Sequence, residues 1–86
     1  MIGSALPEHV KVPEGAMVVW VIYDHPRDYP HGFVLRPQFA VSGEVRACPQ
    51  AWYARSADEL RSILPHGVTY LPRQPQDDVA ILETWL

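Results

Sequence analysis

Residues 23 to 31 read YDHPRDYPH, and within them Asp24, His25, Asp28 and His31 set two carboxylates beside two imidazoles. These are oxygen and nitrogen donors of the kind that hold a divalent metal. Their spacing matches no familiar metal pattern, because Pro26 and Pro30 lie between His25 and His31 and prevent the two from sharing a helix face. The competing and preferred reading is a proline-stiffened turn, in which the aspartates accept backbone N–H bonds and the histidines are partly exposed. A histidine near a carboxylate also has the residue types for acid–base catalysis. Neighbours along a strand point to opposite faces, so Asp28 or Glu44, rather than Asp24, is the expected orienting partner of His25.

Other candidate chemistry is sparser. Cys48 is the single cysteine; with His25, His31 or His66 as base it has the types for a nucleophile, but a lone cysteine more often packs as a small hydrophobe. The chain carries six arginines and one lysine, and a guanidinium makes planar paired contacts with carboxylates or phosphates. Arg27, Arg36 and Arg73 sit in or near loops and form a candidate nucleotide or anion site; ion pairing with the chain's own acids is the simpler account. Trp52 and Tyr53 precede the expected helix, where they would floor a ligand pocket or, more commonly, join the core. Arg27, Tyr29, Arg36, Trp52 and Arg73 are therefore the candidate ligand or partner contacts.

These residues need a scaffold. From Ala16 the run AMVVWVIY is apolar on both alternating faces and rich in β-branched and aromatic residues, which predicts a central strand covered on both sides. HPRDYPHG, at 25 to 32, stops it and forms a constrained loop. Phe33 to Arg36 and Phe39 to Val41 read as strand, interrupted at Pro37, whose missing N–H predicts an edge position or a bulge. Ser42 and Gly43 turn the chain into a strand over 44–47, and another short strand covers 51–54. Ser56 followed by Glu59 is a capping box. Leu60, Ile63 and Leu64 share one face of the helix it starts, and Pro65 with Gly67 closes that helix. Val68 to Leu71 is a short strand and PRQPQDD a loop. Residues 79–86 are read as strand in preference to a helix capped by Asp77 or Asp78, with Glu83 on the Val79/Ile81 side.

The expected architecture is α+β: an extended or mobile N-terminal arm over 1–15, then a single domain over 16–86. That domain is a small, mostly antiparallel β-sheet with one principal α-helix, about residues 57–64, packed on one face. So short a helix cannot cover a whole sheet. The second face, bearing residues such as Trp20 or Trp85, is expected to meet something else, most simply a second copy of the chain.

Composition narrows the function classes. The chain has 86 residues, 48% hydrophobic and 20% charged, the balance of one globular domain. A net charge of −3 supplies no cationic field for a phosphate backbone, so no nucleic acid is expected. No segment has the length of apolar sequence that a membrane span needs. One cysteine and an N-terminus unlike a secretory signal point to the cytoplasm. The stretches IYDHPRDYPHGFVLR, LPHG and LETWL together resemble short bacterial proteins of unassigned function. The resemblance implies a compact bacterial domain and carries no site residue. The preferred function is a small non-enzymatic interaction module that forms a homodimer or small homo-oligomer or binds a protein partner. The alternatives are a small enzyme or metal-dependent site on the 24–31 loop, and the anion binder. No cofactor is expected, a divalent metal being the one ion the loop has ligands for.

Overall fold

The structure, a computed structural model, describes residues 6–86. Residues 1–5 of the expected arm lie outside the described residues. From Leu6 the chain enters a short 3-10 helix, Pro7–His9, and Val10 behind it joins the hydrophobic core.

Six strands follow: β1 (Met17–Asp24), β2 (Phe33–Val41), β3 (Glu44–Ala47), β4 (Trp52–Ala54), β5 (Tyr70–Pro72) and β6 (Ile81–Trp85). All their pairings are antiparallel, in the order β3-β2-β1-β6-β5, with β4 also on β2. β1 is central, as its doubly apolar pattern predicts. Its register with β2 sets Trp20 against Pro37, Ile22 against Leu35 and Val18 against Phe39. Residues 42 and 43 turn β2 into β3 with φ of 49° at Ser42 and 79° at Gly43. Positive φ at both central positions is the primed turn whose twist suits a two-residue hairpin.

Pro37 does not break β2. It is fully buried within a continuous strand, and the irregularity falls on its neighbour. Three steps along β2, from Gln38 to Leu35, correspond to five along the partner, from Ala47 to Trp52, so two residues are extra. β3 and β4 are thus one edge strand split by a bulge at residues 48–51. The Cys48 N–H donates to the Pro37 carbonyl at 3.3 Å, so Pro37's polar backbone faces this split edge rather than β1. Its missing donor falls where the ladder is already interrupted.

The helix, α1 (Ala57–Arg61), is shorter than the expected 57–64 and is not a principal element. Its start is as predicted: Ser56 accepts from the Glu59 N–H, and the Glu59 carboxylate accepts from the Ser56 N–H. Its end differs because Ile63 and Leu64 bond to the carbonyls three residues back, Leu60 and Arg61, in the tighter 3-10 pattern. Pro65 then disfavours helical geometry at Leu64 and supplies no N–H.

α1 lies on one face of the sheet, over β4, β2 and β1. Leu60 projects from it into a cluster of Val10, Trp20, Ile22, Leu35, Phe39, Trp52 and Ala54. Trp20 and Trp85 therefore sit on the helix-covered side, not on the second face: Trp20 is buried, and Trp85 packs against the core. Register places Met17, Val19, Val21 and Tyr23 of β1 on the opposite face, with Val34, Arg36 and Ala40 of β2, Val45 of β3 and Leu71 of β5. No secondary-structure element among the described residues covers that face.

β6 contains a second irregularity. Ile22 pairs with Glu83 but Tyr23 with Ile81, so Leu82 is an extra residue. Glu83 consequently lies on the opposite side from Ile81, turned toward the helix-covered face, where it is 4% exposed. Simple alternation puts the two on the same side; the bulge reverses this. Among the described residues no helix is long and apolar enough to cross a membrane.

Candidate functional site

The loop between β1 and β2 is held closed by its own backbone. The His25 N–H donates to the Gly32 carbonyl at 2.8 Å, and the Tyr29 N–H to Pro26 at 2.9 Å, making a tight turn over 26–29. Gly32 is required by proximity: a Cβ there would lie 2.5 Å from the Ala54 carbonyl oxygen. The loop is thus pressed against β4. It also bends onto the uncovered face, since Asp28 pairs with Arg36 and the Tyr29 ring lies 4.9 Å from Tyr53.

The side chains expected to gather do not form one ligand set. Among the described residues no group of three or more His, Cys, Asp and Glu is arranged to hold a metal ion. Asp28 is taken by Arg36. The His31 ring meets Tyr29 edge-on, with centroids 6.5 Å apart. Asp24 and His25 come together through a hydrogen bond between Asp24 Oδ1 and His25 Nδ1. Strand alternation argues against that contact, but the strand ends at Asp24. His25 has φ of 48°, in the left-handed region, which turns its side chain back toward its neighbour. Its ring rests at 66° to Phe33, with centroids 5.2 Å apart. The expected partners, Asp28 and Glu44, have no part in this.

Beside the pair is an open depression of about 680 Å³, lined by Tyr23, His25, Pro26, Arg27, Asp78, Val79 and Ala80. Its far wall is the turn before β6, anchored by the Asp24 N–H to the Ala80 carbonyl at 2.7 Å and by the Ala80 N–H to Asp78 Oδ1 at 2.8 Å. Tyr23, Asp78, Val79 and Ala80 were not foreseen from the sequence as lining residues. The one available signal is the aspartate pair ahead of β6, which the sequence offers only as the cap of a helix rejected in favour of a strand. Burial raises the Tyr23 hydroxyl pKa above its ordinary value, and the guanidinium of Arg36, 5.9 Å above the ring, opposes this. The depression combines an imidazole, a carboxylate, a guanidinium and a phenol, which suits a small polar molecule better than a bare ion.

The remaining candidates are dispersed. Arg27 lines the depression, Arg36 is paired across the uncovered face, and Arg73 donates to the Asp77 carbonyl at 3.3 Å. No contact among the described residues unites the three into an anion site. Trp52 is 2% exposed in the core, its ring 6.5 Å from that of Trp20, so it offers no surface to a ligand or partner. Cys48 sits beside Pro37, about 13 Å along β2 from the loop at ~3.3 Å per residue, which separates it from His25 and His31.

No protein-family model matches the chain, and no curated protein or solved structure matches it significantly.

Proposed function

We propose that this chain is a small non-enzymatic interaction module that associates with itself or with a protein partner through the sheet face α1 leaves uncovered. The observation that carries this reading is the unequal cover of the two faces. On the helix side Leu60, Leu35 and Ile22 are 0% exposed; on the other, Val34 and Val21 are buried at 0% and 4%, but Met17, Val45 and Leu71 around them are 56%, 68% and 39% exposed. The latter are bordered by Tyr29, Tyr53 and Arg36, and aromatic and arginine side chains are enriched where proteins meet. Exposed apolar area of this kind in a small domain is what a partner removes from water. Sedimentation velocity over a concentration series tests this. Association that weakens in Met17→Glu supports the reading; a strict monomer that binds no hydrophobic dye ends it. The cytoplasm remains the proposed compartment, resting on the single cysteine.

A second reading has its own observation, the left-handed His25 beside Asp24 at the mouth of the depression. It makes that depression a site for a small polar ligand. Mass spectrometry of the purified protein for a carried-over ligand, together with thermal-shift titration of sugar phosphates, tests it. A stoichiometric ligand lost in His25→Ala supports the site, and no binding in either assay removes it.

A further inference from the structure

The sheet has two edges, and they are not equally guarded. On one side β5 is three residues long and ends in Pro72, which cannot donate to an added strand. On the other, the β4 half of the split edge lies beyond the bulge that contains Pro49 and leads directly into α1. The β3 half ends at that same bulge but has no proline within it and no helix following it directly. Its residues Glu44, Val45, Arg46 and Ala47 are all exposed, with no proline, no lysine and no bulge among them.

The backbone phase of β3 follows from one bond. The Cys48 N–H points inward to the Pro37 carbonyl. Polar groups of alternate residues in an antiparallel pair face the same side, so Arg46 and Glu44 also point inward to β2, while Val45 and Ala47 present their N–H and C=O groups outward. We propose that a second copy of this chain adds to that edge, β3 against β3 across a two-fold axis, with Val45 opposite Val45 of the partner subunit. The proposal rests on the self-association half of the preceding reading and names its partner and register.

Charge selects the register. With Val45 at the two-fold axis, Glu44 of each protomer faces Arg46 of the partner subunit, twice per dimer. Neither side chain has an ion-pair or hydrogen-bond partner among the described residues of its own chain. Shifting the register by two residues sets Arg46 directly against its own copy in one direction and Glu44 against its own copy in the other, and like charges opposite each other destabilise a strand pair. The apolar side agrees. Met17, Ala40 and Val45 form a row across the uncovered face of one protomer, and the Val45-centred axis continues it into the same row of the partner. A four-residue ladder buries less than the roughly 1,000 Å² of a stable interface, so the dimer is weak and concentration-dependent.

Sedimentation velocity of the full chain into the high micromolar range, on variants whose fold is checked by circular dichroism, tests the arrangement. Glu44→Lys alone and Arg46→Glu alone should each raise the dimer dissociation constant roughly tenfold, since each turns two attractive pairs into repulsive ones. An equimolar mixture of the two variants should recover association, because every facing pair in the mixed dimer is again of opposite sign. Val45→Pro should abolish the dimer while leaving the fold intact, since it removes an outward N–H and no ladder bond to β2. A chain that stays monomeric throughout overturns both this inference and self-association, and leaves binding to a different protein standing. A dimer indifferent to Glu44→Lys and Val45→Pro overturns the inference alone.

Discussion

Arg61 and Glu83 form a two-point ion pair that joins α1 to β6. The guanidinium donates twice to the carboxylate, at 2.8 and 2.7 Å, and the Trp85 indole N–H donates to it at 2.7 Å. Arg61, with help from Trp85, holds the Glu83 carboxyl below its ordinary pKa of 4.5, against the opposing effect of burial. A carboxyl with a lowered folded-state pKa contributes stability above its unfolded value and loses it as pH falls through the folded one. Arg61→Ala should therefore cost about 2 kcal/mol near neutral pH, less than the roughly 3 to 5 of a fully buried pair because the Arg61 side chain is 38% exposed. The loss of stability between pH 5 and the acid limit, measured by urea unfolding at several pH values, should become shallower in that variant. Sequence pattern places Glu83 on a strand but on the wrong side of it, and gives no hint of Arg61 as its partner. Spacing alone cannot reveal a bulge. The same limit applies to His25: its residue type marks the loop as a candidate site, but its contact with Asp24 depends on a φ of 48° that no composition rule specifies.

At the level of elements, the strands and the capping box were the legible part. Each of β1 to β6 overlaps a segment predicted as strand, and the Ser42–Gly43 hairpin is where turn chemistry puts it. What the sequence misjudged was continuity. Pro37 reads as a break because a missing N–H is costly in a central ladder, yet here the cost falls on a bulged edge and β2 runs through. The 24–32 loop depends on another local detail, the contact of Gly32 with β4. Gly32→Ala should clash with the Ala54 carbonyl, a backbone atom that cannot rotate away. Its expected cost is about 1–3 kcal/mol, as for an overpacked site. Thermal unfolding measures it, and a variant as stable as the parent would mean the loop can lift off β4.

On the scale of the whole molecule, one side of the sheet depends on very little. α1 has five residues, and of these only Leu60 is buried. The chain is short enough that its total stability is expected near the lower end of the usual range, about 5 kcal/mol. Leu60→Ala should remove about 2–5 kcal/mol and leave the domain partly unfolded at room temperature. Loss of the cooperative thermal transition would report this; a transition unchanged from the parent would mean that the N-terminal segment around Val10 shares the role. Composition and the single capping box predict a sheet with one short helix, and the fold has that arrangement. Which tryptophans that helix would cover was not readable, since it requires the register between β1 and β6.

The bulge in β6 has a consequence for chain length. Ile81 and Glu83 already face the correct sides for adjacent positions in an uninterrupted ladder, with Leu82 as the surplus unit between them. Excising Leu82 should keep both neighbours in phase and forfeit little more than its own partial burial against the core. Excising Thr84 instead would invert Trp85 and Leu86. A deletion series scored by folded yield should show this contrast: the last strand tolerates being one residue shorter at a single place.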